Sequence, residues 1–392
     1  MDSYSKYEIL PLRRIIYGSN ALTELNSIID EFGCSRVAIV TTRSLVNSEI
    51  LKKILGLLGN RVCITFGECK QHTPAESVIK ASEAVTLSKA DIVITVGGGT
   101  VTDTGKAIRF IQSRGIKTSE DLKPFVTKRG KKNNTVSNCV SSLPQIAIPT
   151  TLSGSEFTNS CPITDINLKK ELYIYRDLIP TINILDPEAT LETPPRLWAS
   201  SGIKAIDHTV EQIYANKPQE ITSTLSYRAL ELLYKYLPIT KQNPTDLEAR
   251  KNCQIGAFMA IFGIMNISLG LSHVIGHQIG PKWHLGHGIT SCLSLPTVLR
   301  FNQPNSLEAQ VQMAKSIGIN AKKSKEDMAS EFADRIEQLI GELGLPTRIH
   351  EVHENRDDFE TIARNVIDDP LLTANPRPVT FEDVIIVLNN AW

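Results

Sequence analysis

The sequence predicts an α/β domain built on a parallel sheet, residues 1–190, followed by an all-α domain, residues 191–392. Three observations carry this reading. In the first half, β-branched apolar runs alternate with stretches of helical periodicity, the pattern of βαβ crossovers. From Pro194 onward the periodicity is helical and strand signals are few. A chain of 392 residues is also too long for one simple core, so two domains are expected.

Taken in order, Arg36–Thr41, Val62–Phe66 and Ala90–Val96 read as strands, with helices at Ser48–Leu58 and Ala75–Ser88 between them. The third strand runs into Gly97-Gly98-Gly99-Thr100-Val101-Thr102-Asp103, after which Thr104–Ile111 reads as helix. Glycines at a strand-to-helix turn let backbone N–H groups approach a phosphate, and the helix N-terminus adds partial positive charge. A tight turn that needs glycine for its dihedrals is the plainer alternative. The spacing is not G-x-G-x-x-G, so the ordinary dinucleotide fingerprint is absent. Residues 113–143 read as a polar excursion. Its basic run Lys128-Arg129-Gly130-Lys131-Lys132 is taken as solvated loop, with a grip on an anionic substrate as the alternative. A strand resumes at Pro144–Ile148 and ends in Pro149-Thr150-Thr151-Leu152-Ser153-Gly154-Ser155-Glu156, where open α/β sheets place their ligands. Ile182–Leu185 closes this half.

In the second half, helices are expected at Trp198–Tyr214, Ile221–Tyr236, Asp246–Ile264, Leu269–Ile279, Leu307–Ser316, Ser324–Leu343 and Phe381–Asn390. The stretch Leu269–His287 (LGLSHVIGHQIGPKWHLGH) holds His273, His277, His284 and His287, half of the chain's 8 histidines. His273 and His277 stand four apart and share one helix face. The helix is expected to break at Gly280-Pro281, and a turn then returns His287. Such a set aims imidazoles at a metal, an oxyanion or a proton in transit. One i,i+4 pair alone is more often a satisfied core pair; four histidines in this stretch favour a site. The uncharged run Gln254–Gln278 contains polar residues and glycines, which favours a buried helix over a membrane span.

Charge excludes some partners. Lys and Arg number 42 against 42 Asp and Glu, without long runs of either sign, so neither nucleic acid nor an anionic membrane is expected. The 7 cysteines form no CxxC pair and suit reduced thiols. The N-terminus lacks the apolar segment of a secretory signal, and a cytoplasmic protein is expected.

Four pieces together carry a resemblance over nearly the whole chain. They are Gly97-Gly98-Gly99-Thr100-x-x-Asp103-x-Gly105-Lys106, Pro149-Thr150-Thr151 with Gly154-Ser155-Glu156, Gly202–Glu211, and Gly270–His287. The chain resembles the iron-containing alcohol dehydrogenase family, of dehydroquinate synthase-like fold. That resemblance implies a nucleotide-binding N-terminal domain, a helical C-terminal domain and an active site in the cleft between them. Hydride would pass there between a nicotinamide and an alcohol or carbonyl carbon. It also implies that the glycine turn, Gly97 to Asp103, holds the cofactor's pyrophosphate, and that Thr150 and Thr151 lie along the cofactor. The family's metal ligands, an Asp and a His four apart and two His fourteen apart, fall on position 204, His208, His273 and His287. His277 matches a further His near the nicotinamide.

Position 204, however, is lysine. A metal and an ammonium repel at contact distance, so Lys204 among three imidazoles makes a poor ligand set. Asp207 precedes His208 and is expected about 100° around the helix from it. Two residues, not three, separate Thr150-Thr151 from Gly154, and Tyr175–Pro180 precedes Asp186-Pro187. Both features resemble the maleylacetate reductase branch, which lacks the metal aspartate and works without metal, although that branch carries Asn where this chain has Lys204.

The expected activity is a metal-independent, NAD(P)H-dependent reduction of a small carbonyl or enone-type acid. Lys204 would stabilise the developing oxyanion, while His208, His273, His277 and His287 orient substrate or relay the proton. The alternatives are a metal-dependent alcohol dehydrogenase using His208, His273 and His287, and a non-redox lyase, cyclase or isomerase on the same scaffold. Thr42-Arg43 stands where many family members carry an aspartate and leaves room and charge for a 2′-phosphate, which favours NADPH over NADH. Expected partners are a small-molecule substrate and, in a homodimer, a second copy of the chain.

Overall fold

The computed structural model describes residues 6–127, 143–167 and 169–392. The basic run Lys128–Lys132 and Cys139 lie outside the described residues. The chain packs as two compact units, Glu8–Thr193 and Pro194–Trp392, the latter joined by Lys6 and Tyr7. The cysteines among the described residues are free thiols.

The first unit contains, in chain order, β1 (Arg14–Tyr17), α1 (Leu25–Glu31), β2 (Val37–Val40), α2 (Glu49–Leu58), β3 (Val62–Phe66), α3 (Ala75–Leu87), β4 (Ile92–Gly97) and α4 (Gly99–Arg114). β5 (Gln145–Pro149), β6 (Ser160–Thr164), β7 (Lys170–Ile174) and β8 (Ile182–Leu185) follow. Six strands form one parallel sheet in the order β1-β8-β5-β4-β2-β3, while β6 and β7 make an antiparallel hairpin. The inner strands read as largely apolar runs, broken only by Thr95, Gln145 and Asn183, because both faces are covered. Ile39, Ile92 and Ile94 pack with Leu25 and Ile29 of α1 and Leu51 and Ile54 of α2. Ala38, Val40 and Val93, on the alternate positions, pack with Ala81 and Val85 of α3 and Val101 and Ile108 of α4.

This sheet has a switch point. β2 pairs with β3 on one side and with β4 on the other, so the order of strands reverses between β2 and β4. Open α/β sheets bind ligands outside the carboxyl ends of strands at such a point. Parallel register aligns Val40 with Thr95 and Gly97 with Pro149. Thr42-Arg43, the glycine turn and Thr150-Thr151 therefore follow strands that end on one edge of the sheet. α4 starts at Gly99 rather than Thr104, because the Val101 and Thr102 N–H groups already donate to Gly98 O at 3.0 and 3.2 Å.

The second unit is helical: α5 (Pro195–Tyr214), α6 (Glu220–Gln242), α7 (Leu247–Phe262), α8 (Leu271–Lys282), α9 (His287–Ser316), α10 (Lys325–Glu342), α11 (Phe359–Ile367) and α12 (Phe381–Ala391). Val274, Ile275 and Ile279 of α8 share a core with Leu293 and Val298 of α9, Ile362 of α11 and Val387 of α12. The expected break at Gly280-Pro281 does not occur. Pro281 sits in the last turn of α8, where it removes a single helical N–H, and Trp283 N–H donates to Ile279 O at 2.9 Å. α9 begins at His287, well before the expected Leu307, and kinks at Ser306, two residues after Pro304. Among the described residues no single helix is long and apolar enough to cross a membrane. The apolar segments Leu247–Asn266 and Leu271–Lys282 meet at a bend of 102°.

Candidate active site

In the first unit the glycine turn is shaped by two different needs. Gly97 has φ +154°, and a Cβ there would lie 2.6 Å from Val101 Cγ2, so glycine alone serves. A Cβ on Gly98 would meet Thr151 Cγ2 at 3.0 Å and its Oγ1 at 3.1 Å. Close approach of the Pro149-Thr150-Thr151 segment is thus a reason for glycine here that phosphate access alone did not anticipate. Thr150 N–H donates to Gly97 O at 3.0 Å, and Thr193 Oγ1 donates to Thr150 O at 2.7 Å, which holds that segment on the turn. Gly98 caps α4 without a side-chain acceptor, so the first N–H groups of a 16-residue helix, at Gly99 and Thr100, suit an anion. This cradle at the switch point fits a dinucleotide's pyrophosphate. At the end of β2, Thr42 Oγ1 lies 2.9 Å from Ser44 Oγ and Arg43 is exposed.

Asp103 does not stand apart. It accepts from Lys106 Nζ at 3.1 Å and from Ser155 Oγ. Lys106, fully buried, also donates to Ser155 O at 2.6 Å, Thr158 Oγ1 at 3.0 Å and Ser160 O at 3.0 Å. One ammonium thereby ties the segment after Thr151 to α4. Beside it, burial lifts the Glu156 carboxyl to about 7, with Asp103 adding and its own backbone N–H and Lys106 opposing. The unfolded chain loses this proton near the ordinary value of 4.5, while the folded protein keeps it to about 7. Between those values the folded state binds more protons, so stability falls as pH rises through this window and is level above it. Glu156→Gln should abolish that slope, so that its advantage over the natural protein grows from under ~1 kcal/mol at pH 5 to about 3 kcal/mol at pH 7 and above. Melting temperatures of both proteins across that range check it.

In the second unit α5 presents Lys204, Asp207, His208 and Glu211. At 100° per residue these lie within one stripe, with Lys204 between Asp207 and His208. Asp207 is therefore not turned out of the site as expected from its angle to His208 alone. It is fully buried, its Oδ2 lies 3.5 Å from Lys204 Nζ, and it accepts from Ser291 Oγ of α9 at 2.6 Å. His273 Nδ1 is 2.8 Å from Glu211 Oε2 and 3.5 Å from Asp207 Oδ2. The ring of His208 stacks on that of His273, centroids 4.9 Å apart. His277 and His287 stack at 5.5 Å, and each stands edge-on to His273, at 6.2 and 6.4 Å. Gly288 permits this entry of α9, since a Cβ there would lie 2.3 Å from Ser200 O of α5. The structure thus brings Lys204, His208, His273, His277 and His287 together. His284, exposed at φ +53° in the turn, takes no part in these ring contacts.

Burial, and after it the Lys204 charge, holds His208 and His273 well below the usual imidazole pKa, so both are neutral. Burial raises the Asp207 carboxyl against the pull of Lys204 and Ser291, and lifts Glu211 to about 8 against Lys204 and two backbone N–H groups.

His273 Nε2 is buried and makes no hydrogen bond among the described residues, as suits a metal ligand. At the fourth place, however, stands an ammonium. Asp207 cannot substitute for it, because Asp207 lies against the Nδ1 edge of His273, away from Nε2. Asp207, Glu211 and His273 also place ligand atoms within 4.8 Å of one another, but Glu211 already accepts the N–H groups of Gly270, Ser272 and His273. Three imidazoles with an ammonium do not fit a divalent ion as a four-ligand set. The sequence alone does not reveal the roles of Asp207, Glu211, Ser291 and Lys106; the i, i+3, i+4, i+7 spacing of Lys204, Asp207, His208 and Glu211 along α5 is the available signal.

Residues 12–187 match the iron-containing alcohol dehydrogenase family, and residues 198–392 match the Fe-containing alcohol dehydrogenase family, C-terminal. The chain is 31% identical to the dehydrogenase FUM7 of Gibberella moniliformis over 391 residues, which covers 90% of each. It is 27% identical to a maleylacetate reductase of Burkholderia cepacia, covering 97% of this chain and 95% of that one. An alcohol dehydrogenase from Oenococcus oeni superposes with a TM-score of 0.89 at 25% identity, covering 99% of this chain and 100% of that one. Matches that together span the described sheet, the glycine turn and the histidine cluster make the protein an oxidoreductase of the iron-containing alcohol dehydrogenase family.

Proposed function

We propose that the protein is a metal-independent, NAD(P)H-dependent reductase of a small carbonyl or enone-type acid. The observation that carries the reading is Lys204, buried on the histidine stripe of α5 and ion-paired with buried Asp207 at 3.5 Å. NAD(P)H, when bound, supplies the hydride. As a C=O or C=C–C=O group accepts that hydride, its electron pair moves to oxygen, and the Lys204 ammonium meets the developing charge in place of a Lewis acid. A proton passed from Lys204 through the imidazoles of His208, His277 or His287 completes the product. Asp207 keeps the charge of Lys204 compensated while water is excluded. A neutral pair, rather than a metal's net positive charge, also suits a site that takes up hydride and proton together.

A panel of small keto acids and unsaturated acids tests the activity. Stoichiometric loss of NAD(P)H absorbance is expected with at least one of them, and turnover without such loss would contradict the reading. Thr42, Arg43 and Ser44, with no acidic group among them, support NADPH as the better cofactor, seen as the higher kcat/KM. The second reading is a metal-dependent alcohol dehydrogenase, favoured by the bare Nε2 of His273.

A further inference from the structure

We propose that Lys70, on the loop after β3, joins Arg43 in binding the 2′-phosphate of NADPH, so that two loops rather than one set the choice of cofactor. The inference rests on the reading above that NADPH is the better cofactor, and it names a further residue that makes it so.

The two loops leave the carboxyl ends of β2 and β3, and β2 borders the switch point. Thr41 N–H donates to Phe66 O at 2.8 Å, and Cys69 N–H donates back to Thr41 O at 3.2 Å. The ladder thus continues past the end of β2 and carries both loops off the sheet side by side. Gly67 lets them close up, since a Cβ there would lie 2.4 Å from Val46 Cγ2, just beyond the single 3-10 turn Arg43–Leu45. Cys69 shares a core with Val40 of β2 and with Val101 in the first turn of α4. The loop after β3 is therefore seated beside the helix whose N-terminus forms the pyrophosphate cradle.

The backbone of Lys70 is fixed from both sides. Cys69 holds it upstream, and downstream Thr73 N–H donates to Lys70 O at 3.1 Å. That turn keeps His72 at φ +65° and Thr73 at φ +48°, left-handed values that are an outlier for a β-branched residue. β6 holds them there: Thr164 Oγ1 donates to His72 O at 2.7 Å, and Thr164 N–H donates to Thr73 O at 3.1 Å. Strain of this kind persists only where the surroundings over-determine it, and it gathers at ligand sites. Here it sets where the Lys70 side chain leaves the loop.

Charge points the same way. Arg43 and Lys70 are both exposed, and among the described residues neither side chain makes an ion pair or a hydrogen bond. The acid between them, Glu68, is taken by Lys80 Nζ at 2.6 Å. The hydrogen bond and charge of Lys80, and after them the charges of Arg43 and Lys70, hold the Glu68 carboxyl below its usual range. Three cations gathered around one acid leave an excess of two positive charges. A 2′-phosphate brings close to two negative charges to the ribose, where NADH brings a neutral hydroxyl. The Arg43 guanidinium can meet two phosphate oxygens and Lys70 adds a point charge. Glu68, engaged by Lys80, is kept from accepting the ribose hydroxyl of NADH.

Titration of the full chain with NADPH and with NADH, in the natural protein and in Lys70→Met, tests this, with melting curves to confirm folding. The natural protein should bind NADPH more tightly. In Lys70→Met the Kd for NADPH should rise about 10-fold, the scale of losing one charged partner, while that for NADH stays within about twofold. Lys70→Arg, which keeps the charge, should restore most of the preference. An unchanged preference in folded Lys70→Met would leave the 2′-phosphate to Arg43 and overturn the proposal, with the cofactor reading intact. Equal weakening of both cofactors would place Lys70 on a part they share and overturn it too. A natural protein that binds NADH as tightly as NADPH would overturn the cofactor reading itself, and the proposal with it. In Glu68→Gln, NADH binding should hold within about twofold; its loss would make Glu68 a ribose acceptor and count against the proposal.

Discussion

Lys204→Met is expected to lower kcat by about 10²-fold or more, the scale of losing a donor aimed at a developing oxyanion. Methionine keeps approximate length and removes the charge. It also leaves Asp207 as a buried carboxylate beside Ser291 and His273 without its cationic partner, a costly arrangement in its own right. The double variant Lys204→Met, Asp207→Asn removes that complication, since asparagine can still accept from Ser291. If Lys204 stabilises charge in the reaction, the double variant folds normally and stays at least 10²-fold slow. Full activity in the double variant would make Lys204 no more than a counter-ion. Lys204→Asp carries the converse expectation. An oxygen ligand would then join His208, His273 and His287, and the variant should bind a divalent ion that the natural protein does not. Metal analysis after dialysis measures this.

Gly98→Ala should weaken NADPH binding by about 1–3 kcal/mol, the scale of leaving phosphate-binding N–H groups unsatisfied. The added methyl would press on Thr151 at 3.0 Å. Thr151 cannot simply yield, because its neighbour Thr150 is fixed to Gly97 and Thr193. The turn must distort instead, and the α4 N-terminus with it. Fluorescence titration with NADPH reads the effect and a melting curve confirms folding. An unchanged Kd in a folded Gly98→Ala would place the pyrophosphate elsewhere.

Much of the fold is legible in the chain because its inner strands are buried on both faces. Ile92–Gly97 and Ile182–Leu185 stand out as apolar runs, and the helices between them have one apolar face. Edge strand β1 is only RIIY and half exposed, so it gives no such signal. The front half of α9 is hidden by Pro296, Pro304 and a first turn poor in helix formers. In the site, imidazoles announce themselves by type and spacing. Charged residues that serve them do not. Glu211 looks like any glutamate on a helix, and its partner His273 lies 62 residues away. Asp207 looked misplaced when measured only against His208; measured against Lys204, three residues earlier, it lies on the same face. Lys106 likewise shows its role only when residues 49 to 54 positions on are folded against it.

The central claim is that this site reduces its substrate without a metal. Protein purified, dialysed against a strong chelator and assayed in metal-free buffer gives the direct measurement, with metal content determined on the same sample. NADPH oxidation should continue at the undiminished rate with no bound divalent ion, and added zinc or iron should not raise it. Activity lost on chelation and restored by zinc or iron would contradict the account and assign the chain to the metal-dependent alcohol dehydrogenases.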